Sequence, residues 1–300
     1  MIKEDFISQV IATGAECVAD SPMKEHTTFK VGGPADFYIT VDNTEELTKV
    51  LSLCRANKVP YMFIGNGSNL LVSDEGLRMA VIRLSGDFRN ITSSDNVVRC
   101  GAGATLAKLC TFAQQNSLAG LEFAFGIPGT VGGAVYMNAG AYGGEMKDVL
   151  LNVTHLTPAG EVVTVPVCEL DLGYRHSIYK TNECIVLFAE FSLTHGDKDD
   201  IKTLMDDIMN RRVTKQPLEF PSAGSVFKRP EGAFAGALIE QCGLKGTAVG
   251  GAQVSPKHSG FIVNAGGATC QDVLQLIALV QKTVKEETGY DLEREIIYLS

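Results

Sequence analysis

Residues 126–144 read GIPGTVGGAVYMNAGAYGG and hold seven of the chain's 31 glycines: Gly126, Gly129, Gly132, Gly133, Gly140, Gly143 and Gly144. Glycine gives up the most conformational entropy on folding, so this density belongs where the chain turns with φ > 0 or where backbone comes close to a ligand. The alternative is a solvated linker, but Ile127, Pro128, Val131, Val135, Tyr136 and Met137 are apolar or stiff residues that a Gly/Ser linker lacks. We therefore expect a structured ligand-contact loop. A second stretch, Gly65-Asn-Gly-Ser-Asn69, follows a predicted strand at residues 60–64, and consecutive free N–H groups in such a turn make an anion-binding nest suited to a diphosphate. An ordinary turn is the competing reading, since Asn-Gly is also a turn signal. Two glycine-rich turns in one chain favour a large phosphate-bearing ligand. Neither Gly65-x-Gly67 nor Gly101-x-Gly103 completes G-x-G-x-x-G, because Leu70 and Leu106 stand where the third glycine belongs, and no G-x-x-x-x-G-K-[ST] occurs. Rossmann and P-loop folds are disfavoured.

The elements that must hold these turns follow from periodicity. After a short amphipathic N-terminal segment, Ala35, Phe37, Ile39 and Val41 alternate with polar partners as a strand. Asn43 or Thr44 with Glu46 opens a helix on Leu47, Val50, Leu51 and Cys54, and the strand at 60–64 then completes a β-α-β unit expected to pair in parallel. Residues 97–100 read as a strand leading into Gly101, and Leu106, Leu109, Cys110 and Ala113 mark another helix. Residues 149–156 and 161–167 form a hairpin about Thr157-Pro-Ala-Gly160, and 184–193 a further strand. Ile201, Leu204, Met205 and Ile208 give a helix, acidic in front and basic behind. The last ninety residues are organised afresh: a helix ending at Gly243, a strand at 261–264, a helix opened by Thr269 and Asp272 on Val273, Leu276, Ile277, Val280 and Val284 and stopped at Gly289, and a closing strand at 292–299.

Composition bounds the class. With 300 residues and 45% hydrophobic content the chain is globular, with about two domains or three small ones. A formal net charge of -9 without any Lys/Arg run argues against a nucleic-acid surface. No apolar run is long enough to span a bilayer, and Lys3, Glu4 and Asp5 do not suit a signal peptide, so no membrane partner and a cytoplasmic protein are expected. The eight cysteines lack C-x-x-C or metal-like spacing and read as reduced packing residues, and no metal site is expected.

Three further stretches carry chemistry-capable side chains: Gly173-Tyr-Arg-His-Ser-Ile-Tyr-Lys180, Ala223-Gly-Ser-Val-Phe-Lys228 and Leu292-Glu-Arg-Glu-Ile-Ile297. Singly, Arg175 could be a surface cation, Ser225 a turn hydroxyl and Glu295 a strand-edge carboxylate. With the two glycine stretches they form an ordered set that resembles the UDP-N-acetylenolpyruvoylglucosamine reductase family over nearly the whole chain. The set runs through Thr28-Phe-Lys-Val-Gly-Gly-Pro-Ala35, Ile64-Gly-Asn-Gly-Ser-Asn-Leu-Leu71, Gly126-Ile-Pro-Gly-Thr-Val-Gly-Gly-Ala134, Asn138-Ala-Gly-Ala-Tyr-Gly143, Tyr174-Arg175, Gly224-Ser-Val-Phe-Lys228 and Glu295.

The resemblance implies an α+β fold: a two-part FAD-binding module of the vanillyl-alcohol-oxidase type, residues 1–88 and 89–205, and a UDP-sugar domain, residues 206–300, with the closing strand expected beside the first part. It assigns the flavin to Gly65, Asn66, Gly67, Ser68, Asn69 and Leu70, to Gly101, and to Gly126, Pro128, Gly129, Thr130, Gly132, Gly133, Ala134, Gly140 and Ala141. By matching position Arg175, Ser225 and Glu295 become the catalytic set. Tyr174, Lys215 and Lys245 face the substrate, the lysines as point charges toward its diphosphate. NADPH is implied as hydride donor through the bound FAD, with an enolpyruvyl ether of a UDP-sugar as acceptor. In that scheme Arg175, with Glu295 in a hydrogen-bonded partnership, stabilises enolate-like charge and Ser225 protonates the adjacent carbon. The chain resembles a short branch of the family. It lacks an inserted tyrosine loop between Phe191 and the Ile201 helix, which leaves Arg229 and His258 as local contributors to capping. The rival readings are another FAD-dependent oxidoreductase or oxidase on the same scaffold, and a non-catalytic nucleotide-binding module.

Overall fold

In the computed structural model, which describes residues 3–300, helices begin where the cap signals stand. The side chain of Asn43 accepts from the Glu46 N–H and starts helix Thr44–Ala56, which buries Leu47, Val50, Leu51 and Cys54. Thr105 caps Leu106–Gln115 in the same way, turning Leu106, Leu109, Cys110 and Ala113 inward. A reciprocal capping box between Thr269 and Asp272 opens Cys270–Thr288, and left-handed Gly289 ends it. Helix Lys198–Lys215 carries Asp199 and Asp200 in its first turn and Arg212 and Lys215 in its last. Its buried stripe is narrower than expected: Ile201, Met205 and Ile208 are buried, whereas Leu204 is 48% exposed. Met1 and Ile2, which open the stretch read for a signal peptide, lie outside the described residues.

Sheet order departs from the expected β-α-β pairing. The strands run in the order Glu16–Pro22, Pro34–Val41, Leu77–Leu84, Tyr61–Ile64, so the last pairs in parallel with Leu77–Leu84, from Tyr61 opposite Ala80 to Ile64 opposite Arg83, and not with Pro34–Val41. The intervening strand buries Leu77, Ala80, Val81, Ile82 and Leu84. Such a run, apolar on both faces, belongs in the interior of a sheet, and its lack of alternation hid it from a period-two reading.

Contacts divide the chain into two units. The first comprises Met1–Val18, Tyr38–Gly65 and Ala80–Arg211, the second Ala19–Phe37, Asn66–Met79 and Arg212–Ser300. The first contains an antiparallel sheet ordered Val162–Pro166, Leu150–Leu156, Ile185–Ser192, Val97–Gly101, Ile91–Ser94. Its expected hairpin closes from Leu156 opposite Val162. Past Ile185–Ser192 the chain needs only Thr194–His195 to reach helix Lys198–Lys215.

The second unit has an antiparallel sheet ordered Ser222–Ser225, Phe261–Asn264, Ala252–Val254, Ala248–Val249. Helix Cys270–Thr288 lays Val273, Leu276, Ile277, Val280 and Val284 into one core with Val226, Ile239 and Ile262, and Phe29, Val31 and Leu71 join it. Each such side chain stabilises the fold by roughly 1.5–3 kcal/mol on burial. The closing strand is shorter than expected. Only Ile297–Leu299 is regular, paired in parallel with Leu70–Val72, while residues 293–295 bond irregularly to 226–228 through Lys228 N to Glu293 O and Glu295 N to Val226 O, each 2.8 Å.

The eight cysteines are free thiols. Burial pushes those of Cys54, Cys100, Cys110 and Cys270 up to about 12, as suits inert packing residues.

Candidate active site

Within the first unit three glycine-containing segments meet. Residues 129–132 lie against 102–106: Leu106 N donates to Gly129 O at 3.1 Å, Val131 N to Ala104 O at 2.9 Å and Gly132 N to Ala102 O at 2.9 Å. Gly65 backs onto the same strip, for a Cβ there would stand 2.4 Å from Thr130 Oγ1. The reason for each glycine can be read from what surrounds it. A Cβ at Gly132 would be 2.9 Å from Ala102 Cβ, one at Gly101 would be 2.1 Å from Phe88 O, and one at Gly140 would be 2.8 Å from Glu145 Cβ. These four glycines therefore serve close protein packing, where the sequence suggested approach to a ligand. Gly133 is different. It is exposed, and a side chain there would meet only Thr130 Oγ1 at 3.6 Å.

The stretch expected as a loop also contains a helix, Val131–Met137, capped by Thr130 Oγ1, which accepts from Gly133 N, and closed by left-handed Asn138. Two glycines in its first turn concealed it, since each costs a helix about 1 kcal/mol relative to alanine. Ala134 is buried, Gly126 turns at φ +84, and Gly140–Ala141 pairs with Gly144–Glu145. In the strip from Pro128 to Gly133, which has no charged side chain, Pro128 and Gly133 are exposed and Gly129 and Gly132 half-buried, while Thr130 and Val131 are buried. The N–H groups of Val131, Gly132 and Gly133 are engaged within the protein, so the main-chain donors this strip could offer a flavin dinucleotide are those of Gly129 and Thr130, and Gly133 leaves open the space that a Cβ would fill.

The Arg175 turn belongs to this unit. Gly173 and His176 exchange both backbone hydrogen bonds, at 3.2 and 3.1 Å, around Tyr174 and Arg175. Arg175 sits at φ +54, a region that non-glycine residues keep only when their surroundings impose it. Tyr174 is exposed, with the Arg175 guanidinium 5.2 Å from its ring centre. The surroundings that impose the turn are Asn138 Nδ2, which donates to Gly173 O at 2.9 Å, and Ser177 Oγ, which donates to Tyr136 O at 2.7 Å. Neither was singled out from the sequence. The left-handed cap position of Asn138 was the available signal.

In the second unit residues 66–70 are fixed by their neighbours. Gly67, at φ +60, would bring a Cβ within 2.3 Å of His26 O, and Gly67 O accepts from Thr28 N at 3.3 Å. Thr28 Oγ1 donates to Ser222 O at 2.6 Å, at the start of the strand that carries Ser225. Asn69 Nδ2 donates to Glu295 O at 3.3 Å, Ile297 N donates to Asn69 O at 2.9 Å, and Glu295 N donates to Val226 O at 2.8 Å. The Asn69 side chain and these main-chain bonds therefore tie the loop of Asn69 to the backbone of Glu295 and of Val226, the residue after Ser225, while Ser68 and Leu70 flank Asn69 on the same loop.

Ser225 Oγ lies 3.4 Å from Phe227 O, a long contact that leaves the hydroxyl loosely held. A Cβ at Gly260 would come within 3.4 Å of Ser225 Oγ and 3.2 Å of His258 Nδ1, so the serine and the histidine both border the Gly260 backbone, the histidine tightly. His258 Nδ1 accepts from Gly260 N at 3.1 Å, and burial shifts its pKa below the ordinary imidazole value. Lys215 and Lys245 are both exposed, and Lys245 Nζ pairs with Glu240 at 2.6 Å, a partner the sequence did not announce. Arg229 stacks 4.0 Å over the exposed Phe234 ring. Among the described residues no cluster of His, Cys, Asp and Glu could hold a metal ion.

Residues 216–299 match the family model described as UDP-N-acetylenolpyruvoylglucosamine reductase, C-terminal domain, and residues 35–166 match an FAD binding domain. A UDP-N-acetylenolpyruvoylglucosamine reductase of Agathobacter rectalis is 53% identical over 289 residues, covering 92% of this chain and 92% of its own. One of Clostridium perfringens strain SM101 is 50% identical over 281 residues, covering 94% and 92%. The crystal structure of the Thermus caldophilus UDP-N-acetylenolpyruvylglucosamine reductase superposes with a TM-score of 0.81 at 41% identity, over 95% of this chain and 99% of that one. The α+β fold with its FAD-binding module is thereby established, and the chain belongs to the UDP-N-acetylenolpyruvoylglucosamine reductase family.

Proposed function

We propose that this protein is an FAD-dependent reductase that uses NADPH to convert UDP-N-acetylglucosamine enolpyruvate to UDP-N-acetylmuramate, a step of peptidoglycan precursor synthesis. The chemistry supplied by bound FAD is hydride exchange, taken from NADPH and given to the methylene carbon of the enolpyruvyl ether. The chain's own residues handle position, charge and the proton. Main chain at 128–133 and the 65–70 loop hold the cofactor, with Gly101 behind the strip. Arg175, and Glu295 through a hydrogen-bonded partner, stabilise negative charge on the enolpyruvyl carboxylate as hydride arrives, and the Ser225 hydroxyl gives its proton to the adjacent carbon. Hydride and proton together saturate the double bond. Lys215 and Lys245 face the diphosphate and Tyr174 lies along the substrate. The flavin module spans residues 1–88 and 89–205 and the substrate domain 206–300. In this short branch, without a tyrosine loop, Arg229 and His258 take part in capping. Eight free thiols suit a reducing compartment, and we place the reaction in the cytoplasm.

The observation that supports this reading best is the bond set from Asn69 through the main chain of Glu295 to Val226, which ties the segments that carry Glu295 and Ser225 to the 66–70 loop. The test separates the half-reactions by stopped-flow absorbance of the flavin. Ser225→Ala should leave reduction by NADPH within about twofold of wild type and slow reoxidation by the enolpyruvyl sugar nucleotide by about 10²- to 10⁴-fold. Equal loss in both halves would refute the role of Ser225. NADPH oxidation at one rate with and without the sugar nucleotide would favour an oxidase instead.

A further inference from the structure

Asn138 closes helix Val131–Met137 in the left-handed conformation, φ 41 and ψ 57, and is 1% exposed. A buried primary amide carries two N–H donors and a carbonyl, each costly if left unpaired. All three are used. Nδ2 donates to Glu145 Oε2 at 2.6 Å and to Gly173 O at 2.9 Å, and Oδ1 accepts from Lys147 N at 2.9 Å. One side chain thus joins the glycine-strip helix to two segments, one of them the turn that carries Arg175.

The grip on that turn is double. Asn138 holds Gly173 on its near side, and fully buried Ser177 donates to Tyr136 O on its far side. Both anchor points lie in the last turn of the same helix. Between them Arg175 stands at φ +54, a conformation disfavoured for any residue that carries a Cβ. An unanchored turn would relax toward negative φ and carry the guanidinium elsewhere. The cost is consistent with a side chain whose direction matters more than its ease.

We propose that Asn138 is a positioning residue for Arg175: through Gly173 it locks the turn to the helix of the flavin strip, so that the guanidinium is aimed by the element that also lines the cofactor. This rests on the reading of Arg175 as the group that faces the enolpyruvyl carboxylate. A purely structural role would make Asn138 matter for folding and cofactor retention, and matter equally whether or not Arg175 is present.

Asn138→Gly separates the two. Glycine keeps the left-handed cap without strain while removing every side-chain bond. In FAD-loaded protein we expect reduction by NADPH within about twofold of wild type and reoxidation by the enolpyruvyl sugar nucleotide slower by about 10- to 100-fold, the effect of a misplacement near 1 Å. In an Arg175→Ala background the same change should slow reoxidation by less than about twofold, because the residue acts through the missing guanidinium. Multiplying losses in the double variant, or wild-type reoxidation in Asn138→Gly while Arg175→Ala is slow, would overturn the positioning role alone. Wild-type reoxidation in Arg175→Ala would overturn the role of Arg175 itself. Should Asn138→Gly fail to load FAD, Ser177→Ala carries the same expectation through the same cycle, and failure of both to load would establish a structural role and overturn the proposal.

Discussion

Gly65→Ala isolates one contact. The φ of Gly65 lies outside the left-handed region, so alanine fits the backbone and only space is at issue. Its Cβ would stand 2.4 Å from Thr130 Oγ1, 3.2 Å from Cγ2 and 3.3 Å from Cβ. Ordinary contact begins near 3.4 Å, so the Thr130 hydroxyl must retreat by the difference, about 1 Å. Thr130 is buried and its hydroxyl caps helix Val131–Met137, so the retreat breaks the cap. Overpacking costs about 1–3 kcal/mol and the lost cap about 1 kcal/mol, together about 2–4 kcal/mol. If the strip moves to relieve the clash, that cost appears as FAD affinity weaker by about 30- to 1,000-fold. Flavin titration of the apoprotein, followed by fluorescence quenching, reads affinity, and urea unfolding reads stability. Thr130→Ala supplies the control. Alone it loses the cap, but in the Gly65→Ala background it removes the atom that collides and the cap is lost only once, so the double variant should cost less than the sum of the singles by about 2–4 kcal/mol. Gly65→Ala with wild-type affinity and unfolding midpoint, or strictly additive losses, would refute the packing argument.

Gly133→Ala makes the opposite test on the same strip: with room for its Cβ at a helical position it should raise the unfolding free energy by up to about 1 kcal/mol while weakening FAD, and unchanged FAD affinity would remove Gly133 from the cofactor face. Thr269→Ala takes away one half of the capping box that starts Cys270–Thr288 and should lower urea stability by about 1 kcal/mol without altering NADPH reduction of the flavin. His155, whose Nδ1 lies 3.0 Å from the Tyr179 hydroxyl, has its pKa lowered from 6.5 by burial. The unfolded chain then takes up a proton below pH 6.5 that the native state does not, so stability falls as pH drops from 6.5 toward the lowered value. Urea midpoints across that window should fall less steeply in His155→Gln, and identical slopes would contradict the assignment.

Local signals were legible and non-local ones were not. Thr269, Asp272 and Gly289 announce both ends of a helix because caps are made within a few residues, and Thr157-Pro-Ala-Gly160 announces its hairpin for the same reason. Sheet order is not local: nothing near residues 60–64 says that Leu77–Leu84 will come between them and Pro34–Val41. The glycines are the instructive case. Their missing Cβ atoms signalled close approach, correctly, but not to what. Gly65 approaches Thr130, Gly101 approaches Phe88 and Gly67 approaches His26, while Gly133 faces open space. The order of motifs along the chain named the family before the fold was in hand, yet the hold of Asn138 on Gly173 stayed silent because its partner lies on a segment that only folding brings near, and the Glu240–Lys245 pair because the helix ends between them at Gln241.

The surroundings of Ser225 bear on how so weak an acid could donate a proton. Lowering a hydroxyl's pKa takes a nearby positive charge or donors aimed at its oxygen. The fold sets a carbonyl, Phe227 O, and the Gly260–His258 pair beside it, and burial holds His258 toward its neutral form. The cation nearest to His258 by its electrostatic effect, Lys245, is engaged by Glu240. None of these makes serine a stronger acid. The match must come from the other side, from the basicity of the carbon left electron-rich by hydride addition, which exceeds that of an alkoxide unless the carboxylate spreads the charge. On the proposed mechanism the task of Arg175, with Glu295 in its hydrogen-bonded partnership, is then a balance: enough stabilisation to admit hydride, not so much that the carbon can no longer take the proton of an untuned serine.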